Sequence, residues 1–313
     1  MLNRRHIRIK LLQAFYAFFQ SDNQDILKGE KEFMHSMDRI YDLYIYMILL
    51  FVAIKRQAMI QVEEAKRPTY LQKDPNALSS RFIDNLLLQQ LEESDQLQKL
   101  SDKRKVSWVG DVENDLVKKL YRSIYTSPAY IKILESSFED FVSDKNLLLQ
   151  LFKDEICNFS LLHHFFEEKS IYWQDDLDHV ASMVIKTLKS GDEFGEINIL
   201  PLWKEDEEEY AKELFRQAIK QKDENDQIMQ SYSKNWESDR LAKMDSLLMN
   251  LAMTEVRVFS SIPVKVTMNE YIEISKFYST PKSNKFINGL LDKIFDDFKK
   301  SGKVKKVGRG LIE

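Results

Sequence analysis

A long helical pattern in the first quarter of the chain places the strongest constraint on its fold. It runs from Gly29 to Arg67 and is stopped by Pro68, which disrupts the interior of a helix. The middle of this segment is apolar on every side, and a helix of that kind has to lie inside a bundle. Its longest uncharged apolar run, residues 43–54, has 12 residues, whereas a membrane span needs about 20. The pattern therefore predicts a buried helix.

The rest of the chain favours the same fold class, all-α. Its 313 residues include only 8 glycines and 6 prolines, far below the usual share of turn-forming residues. Apolar residues recur at helical spacing between short polar breaks, and no fixed repeat period is found. The predicted helices, besides the long one, cover residues 3–20, 80–100, 111–126, 129–140, 144–169, 174–190, 205–233 and 238–259.

Two more helices are predicted within residues 262–294. Thr267, followed three residues later by Glu270, matches a capping box, in which the threonine hydroxyl accepts a hydrogen bond from the first helical turn. We therefore expect a helix to begin at about Met268. The helix after it contains Gly289, where glycine costs about 1 kcal/mol relative to alanine. Close approach of a neighbouring helix would explain that glycine.

Charge and cysteine content narrow the possible functions. The net charge is -4, so binding to nucleic acid would have to depend on local charge. Both ends of the chain are basic: the residues concerned are Arg4, Arg5, Arg8 and Lys10, and Lys299, Lys300, Lys303, Lys305, Lys306 and Arg309. The single cysteine, Cys157, allows no intrachain disulfide and no cysteine-based zinc site, and it favours a reducing cytoplasm.

The first predicted helix has two apolar stripes instead of one. They consist of Ile7, Leu11, Ala14 and Phe18, and of Ile9, Leu12, Tyr16 and Phe19, with Phe15 between them. Together they cover more than half of the circumference, so this helix is either deeply buried or in contact with two partners. The arginines at its start oppose the helix dipole and favour an anionic partner; a solvated helix end is the alternative.

The sequence carries no catalytic signature. It contains no glycine-rich phosphate loop, dinucleotide fingerprint or nucleophile elbow. His163 and His164 stand one turn before Glu167 and Glu168, which could present nitrogen and oxygen ligands on one helix face. A metal site needs three or four converging ligands and supporting groups around them, which this spacing alone does not supply. We therefore expect no catalysis, no cofactor and no metal ion.

Two groups of residues resemble a known family. The first is the arginine-rich start followed by Leu12-Gln13-Ala14-Phe15-Tyr16. The second is an ordered series: Trp236, Arg240, Asp245, Leu248, Ala252, Glu255, Ile262-Pro263, Val266, Asn269-Glu270, Ile274, Lys276, Phe277, Lys285-Phe286 and Ile287-Asn288-Gly289-Leu290-Leu291-Asp292. In order and approximate spacing, both groups resemble the NusB family of bacterial transcription antitermination factors.

This resemblance implies an all-α, NusB-like helical bundle with a large inserted helical region. Residues 1–20 would be its first helix and residues 205–298 the remainder of its core. Residues 21–204, which have no counterpart in short family members, would be the helical insertion. Residues 299–313 would form a basic tail.

The resemblance also implies a non-enzymatic, RNA-binding function in the cytoplasm. Family members bind the single-stranded boxA element of RNA together with NusE, a ribosomal small-subunit protein, and act on the transcription elongation complex in antitermination and termination. By position, the RNA-binding residues would be Arg4, Arg5, Arg8, Lys285, Phe286 and Asn288. The residues facing NusE would be Tyr16, Leu12 and Phe19. Clustered cations beside aromatic faces suit a single strand, so the physical interpretation agrees.

One departure from the family and two alternatives accompany this prediction. Pro281 and Lys282 stand where close relatives have acidic residues, just before the Lys285 block.

The chain could instead be a helical protein-interaction scaffold without RNA binding, since the insertion is longer than the recognised core. It could also be an RNA-binding module like that of ribosomal RNA cytosine methyltransferases. That alternative needs a cofactor-binding α/β domain downstream, and 22 residues follow Leu291.

Overall fold

The computed structural model describes residues 2–21, 25–66, 78–134, 140–233 and 242–311, and within them the protein is helical without any strand. The predicted all-α fold is therefore confirmed. The helices are α1 (Arg4–Gln20), α2 (Ile26–Ala65), α3 (Leu86–Glu92), α4 (Asp95–Arg104), α5 (Asp111–Tyr125), α6 (Pro128–Leu134), α7 (Phe141–Leu151), α8 (Ser160–Lys169), α9 (Leu177–Ser190), α10 (Glu207–Lys220), α11 (Lys222–Ser233), α12 (Lys243–Val258), α13 (Val264–Tyr278) and α14 (Ser283–Lys300).

Several predicted helices are divided in the structure. The helix expected over residues 80–100 is α3 and α4, because the hydroxyl of Ser94 accepts a hydrogen bond from Leu97 N and starts a new helix. The helix expected over residues 144–169 is α7 and α8, joined through a π-helical turn at Phe152–Ile156. Two residues of the family resemblance, Trp236 and Arg240, lie outside the described residues.

The chain folds into two compact units. Asp38–Leu202 forms the first, which we call the continuous unit, and Leu2–Met37 with Trp203–Glu313 forms the second, which we call the split unit. The chain thus changes unit inside α2 and after Leu202. The boundaries expected from the sequence followed residues 20 and 204. The first boundary differs because the first three or so turns of α2 pack within the split unit.

The continuous unit is organised around the apolar middle of α2. All side chains from Leu43 to Ile54 are buried except those of Leu49 and Ala53, which confirms the predicted buried helix. Among the described helices, α2 alone is long and apolar enough to cross a membrane, and 67% of its most apolar window is buried within the protein. Its Tyr44 hydroxyl lies 2.5 Å from the Thr187 hydroxyl of α9, so a polar group inside this core has a partner.

The split unit is built from α1, the first turns of α2, and α10 to α14. Helix α1 packs on α10 and α12, while α12, α13 and α14 pack on one another. The rings of Phe33 and Phe215 stack with centroids 5.5 Å apart, which joins α2 to α10. Gly29 lets α2 approach this core closely, because a Cβ there would lie 2.6 Å from the Phe18 ring. The core of this unit therefore joins chain segments that are far apart in sequence.

Two local predictions for the carboxy-terminal helices are wrong. Helix α13 begins at Val264, directly after Pro263, and Thr267 is not its cap. Thr267 N already donates to the carbonyl oxygen of Pro263 inside this helix, and the Thr267 hydroxyl donates a charge-assisted hydrogen bond of 2.6 Å to buried Glu255. Gly289 has no neighbouring atom within 4 Å of the position a Cβ would take, so no helix approaches it closely.

Candidate nucleic-acid interface

An open groove of about 800 Å³ lies between the start of α1 and the turn that joins α12 to α13. The residues that line this arginine groove are Asn3, Arg4, Arg5, Arg8, Ser261, Ile262, Pro263, Lys265, Val266, Asn269 and Glu270. The side chain of Asn3 caps α1 by accepting a hydrogen bond of 2.8 Å from His6 N. This cap fixes where the helix begins and so places the arginines in its first two turns.

A buried ion pair holds the base of the groove. Arg8 donates from Nε and Nη2 to the two carboxylate oxygens of Glu255, with both distances 2.7 Å. The side chain of Arg8 is only 2% exposed, and that of Glu255 is fully buried. A paired, doubly hydrogen-bonded geometry is the form in which a buried charge is tolerated. The pair therefore fixes α1 against α12.

The carboxylate of Glu255 also accepts hydrogen bonds from three neighbouring side chains. The hydroxyl of Tyr210 lies 2.7 Å away, that of Thr267 2.6 Å and that of Tyr271 3.2 Å. Burial acts to raise the pKa of Glu255, but the charge and hydrogen bonds of Arg8, together with the hydrogen bonds of Thr267 and Tyr210, outweigh it and lower the pKa below its ordinary value. The carboxylate thus joins α1, α10, α12 and α13 at one point.

The cations that remain accessible are Arg4, Arg5 and Lys265. Arg5 is 52% exposed and donates to both oxygens of Glu270, at 2.8 and 2.7 Å. These hydrogen bonds, opposed by burial, lower the pKa of Glu270. The Arg4 guanidinium lies 5.0 Å from the centre of the Tyr210 ring, within the range of a cation–π contact. Since Arg5 and Arg8 neutralise the only acidic residue that lines the groove, its accessible charge is positive.

The structure separates the predicted RNA-binding residues into three positions. Arg4 and Arg5 line the groove with accessible side chains, whereas Arg8 is buried against Glu255 and cannot reach a ligand in this arrangement. Lys285, Phe286 and Asn288 lie on the first turns of α14, and none of them lines the groove. The groove takes up the first half of α13, as far as Glu270, whereas these three residues follow the far end of that helix. Lys265 and Asn269 complete the groove instead.

A second cationic area surrounds the turn between α13 and α14. This junction surface, as we call it, consists of Lys276, Phe277, Lys282, Lys285 and Asn288, all exposed, with Phe277 83% exposed. Asp245 of α12 holds the turn in place. One of its carboxylate oxygens accepts a 2.8 Å hydrogen bond from the Ser283 hydroxyl and the other accepts from the Ser279 hydroxyl. The turn is therefore tied to the core beneath it.

The residues expected to face a protein partner are only partly at the surface. Leu12 is fully buried, so it belongs to the core of the split unit and the expectation of direct contact does not fit its position. Tyr16 is 40% exposed, and the Lys243 ammonium lies 5.6 Å from its ring centre. Phe19 is half-buried and packs edge-on against Phe15, with ring centroids 5.0 Å apart. An amphipathic stripe alone could not distinguish these three positions.

The histidine pair noted in the sequence forms no metal centre in the described part of the chain, where no group of three or more potential ligands converges. A ring nitrogen of His163 lies 2.7 Å from the carbonyl oxygen of Cys157, so that side chain is held by a local hydrogen bond.

Comparison with known proteins identifies the protein family. The NusB family profile matches residues 173–296, a range that includes all of α9 to α13 and most of α14 and leaves α1 outside. A transcription antitermination protein NusB from Dictyoglomus turgidum is 35% identical over 104 residues, which are 70% of that protein and 33% of this chain. This chain therefore belongs to the NusB family, as the sequence resemblance predicted.

Two further relatives carry the same name. The transcription antitermination protein NusB of Salinibacter ruber is 43% identical over 104 residues, 65% of that protein and 33% of this chain. That of Chloroherpeton thalassium is 45% identical over 82 residues, 39% of that protein and 26% of this chain. The chain thus spans less than two thirds of either protein. No solved structure matches it.

Proposed function

We propose that this protein is a non-enzymatic, cytoplasmic transcription antitermination factor that binds a boxA-type single-stranded RNA together with a NusE-like ribosomal small-subunit protein in the elongation complex. The observation that carries this proposal is the arginine groove, which combines accessible cations with an open shape. The names of the three relatives point to the same process.

The chemistry of the groove suits a single RNA strand. Arg4, Arg5 and Lys265 can neutralise phosphates, which is the main source of affinity for a nucleic acid backbone. The side-chain amide of Asn269 offers donors and an acceptor to the exposed edges of unpaired bases, and that of Asn3, whose oxygen caps α1, offers its donors. Arg8 serves this surface indirectly, by holding α1 in place through Glu255.

Two other surfaces complete the proposal. The junction surface extends the RNA path, with Lys285 and Asn288 exposed and Phe286 half-buried beside them. The NusE-like partner contacts Tyr16 and the accessible part of Phe19, while Leu12 supports that face from below. This division of roles places RNA at the start of α1 and the partner near its end.

The test is the double substitution Arg4→Ala and Arg5→Ala, assayed by fluorescence anisotropy with a boxA-type RNA oligonucleotide over a series of salt concentrations. Because two phosphate contacts are removed, we expect weaker binding and a decrease of about 1.4 in the steepness of the salt dependence, at about 0.7 per contact. Circular dichroism should show an unchanged helical fold.

A matched control removes the same charge elsewhere. Lys99→Ala with Lys103→Ala takes two exposed lysines from α4 of the continuous unit, and we expect it to leave affinity and salt dependence nearly unchanged. Equal losses in both double variants would show that total charge, and not the groove, determines binding. Unchanged binding in the Arg4 and Arg5 variant would refute the proposed interface.

One observation favours a second candidate function. Most of the continuous unit lies before residue 173, where the family match begins. A region of that size could act as a protein-interaction scaffold that does not involve RNA. If the wild-type chain shows no salt-dependent binding to the RNA oligonucleotide, the scaffold function is the better explanation.

A further inference from the structure

The basic tail after α14 folds back onto the end of α12. The Lys306 ammonium donates hydrogen bonds of 2.9 Å to the carbonyl oxygens of Val256 and Phe259. The last carbonyl groups of a helix have no partner within it, and the helix dipole makes that end attractive to a cation. Lys306 therefore caps α12 with its side chain, although it lies about 50 residues further along the chain.

The tail backbone makes a second attachment at the same place. Val307 N donates a hydrogen bond of 3.1 Å to the carbonyl oxygen of Ser260. Gly310 lies against the same oxygen so closely that a Cβ would stand 2.0 Å from it. Such a distance is impossible against backbone, so only glycine permits the tail to lie here. The tail is thus fitted to this turn by shape as well as by hydrogen bonds.

The attached turn leads directly into the arginine groove. Ser260 is followed by Ser261, Ile262 and Pro263, which line the groove before α13 begins. A displacement of this turn would move those residues, and with them the first turn of α13. The tail is therefore connected to the proposed RNA surface through one short piece of backbone.

We propose that the basic tail is a clamp that positions the turn between α12 and α13 for RNA, and that Lys306 is a positioning residue instead of a phosphate ligand. This inference rests on the proposed function. The burial of Lys306 supports it: burial, partly offset by the charge of Glu255, lowers the pKa of its ammonium to about 8. Lys303 and Lys305, by contrast, are exposed.

Three single substitutions separate a clamp from an RNA-binding arm. Gly310→Ala forces the tail away from Ser260 while it keeps every charge of the protein. Lys306→Met removes the cap of α12, and Lys305→Met is the matched control because it removes an exposed neighbouring lysine. We expect Gly310→Ala and Lys306→Met to weaken binding of the boxA-type oligonucleotide several-fold without reducing its salt dependence. Lys305→Met should change neither quantity.

An RNA-binding arm would give the opposite pattern. Each lysine substitution would reduce the steepness of the salt dependence by about 0.7, and Gly310→Ala would bind as tightly as the wild type. That result would overturn the clamp. The salt dependence is decisive because a purely structural loss of affinity removes no phosphate contact.

Amide hydrogen exchange tests the clamp without RNA. The Val307 amide, which is bonded to Ser260, should exchange faster in Gly310→Ala and Lys306→Met than in the wild type or in Lys305→Met. Continued protection of the Leu251 amide in the middle of α12 would show that the core is still folded. If the wild-type protein fails to bind RNA, the proposed function fails, but the exchange of the Val307 amide still tests whether the tail holds the turn. Unchanged exchange in both Gly310→Ala and Lys306→Met would overturn the clamp.

Discussion

The arginine groove and the junction surface lie near opposite ends of α13 and are held in place in different ways. In the groove, Arg5 and Arg8 of α1 bind Glu270 and Glu255, partners that are 265 and 247 residues away. At the junction, the hydroxyls of Ser279 and Ser283 both point to Asp245, at separations of 34 and 38 residues. The groove therefore depends on correct closure of the whole split unit, whereas the junction depends on one neighbouring helix.

Two surfaces with similar positive charge are thus held in place by very different buried contacts. Truncating an exposed cation should affect either surface mainly through RNA binding, because exposed ion pairs contribute little to stability. Removing a buried carboxylate that holds one of these surfaces in place should mainly lower the free energy of unfolding. The loss should be larger where more side chains bond to that carboxylate. The following predictions test this ordering from the largest effect to the smallest.

The largest effect is expected for Glu255→Gln. This substitution leaves the Arg8 guanidinium buried without its principal counter-ion, and breaking a buried pair in this way costs about 3–5 kcal/mol. The free energy of opening should be measured by native-state hydrogen exchange of the amides of α12. The exposed Glu273→Gln is the control, because Glu273 pairs with Lys276 at the surface. Similar losses for both substitutions would contradict the role of the buried pair.

The second prediction concerns how the stability of the protein changes at low pH. Because the folded protein lowers the pKa of Glu255 below its usual 4.5, the carboxylate contributes stability that is present above that value and is lost as pH falls through the folded-state pKa. The stability difference between wild type and Glu255→Gln should therefore shrink on acidification. Urea unfolding of both proteins at about pH 6 and about pH 3 measures it. A difference that stays constant over this range would be inconsistent with a lowered pKa.

A smaller effect is expected for Asp245→Ala at the junction. The hydroxyls of Ser279 and Ser283 lose their shared acceptor but can still bond each other, so we expect a cost near the lower end of the about 1–3 kcal/mol that an unsatisfied buried group carries. Hydrogen exchange should become faster at the start of α14 and remain unchanged at Thr267 beneath the groove. Asp292→Ala, at an exposed position of α14, serves as the control. Equal disturbance of both regions would remove the distinction between them.

The smallest effect, of opposite sign, is expected for Gly289→Ala. The glycine lies inside α14 with open space around it, so alanine should stabilise the helix by about 0.5–1 kcal/mol. Gly302→Ala is the contrasting control, because Gly302 has a φ of +72 and alanine would be strained there. Thermal unfolding of both variants measures the difference. A loss of stability in Gly289→Ala would show that this position is not free.

Sequence periodicity predicted most of the helices but not the roles of individual side chains. It identified the buried middle of α2 because a helix with apolar residues on every side has to lie in the interior of the protein. It could not show that Arg8 is buried while Arg5 is exposed, since the partner that distinguishes them, Glu255, lies 247 residues away. Thr267 was misassigned because α13 begins earlier, directly after Pro263, so that Thr267 lies inside the helix and its hydroxyl is available to a buried carboxylate of another helix.

The groove was predicted in part. Arg4 and Arg5 were expected from the basic start and from the family resemblance, and both line it. Lys265 and Asn269 were not proposed as site residues, although Asn269 was part of the ordered family series. The signal that could have found them is their position in the first turns of the helix after Ile262-Pro263. The resemblance placed Lys285 among the RNA-binding residues with Arg4 and Arg5, but Lys285 lies on α14, beyond the far end of α13, and does not line the groove.

The division of the split unit has a consequence for chain entropy. The polypeptide leaves this unit after Met37 and returns at Trp203, and the two places are joined by the Phe33–Phe215 stack and by Glu30, which accepts from Arg216. The entropy lost in closing a loop grows only with the logarithm of its length, so each doubling adds about 0.6 kcal/mol. A few such contacts are enough to offset that cost. The split unit can therefore accept intervening segments of very different lengths without losing its own fold.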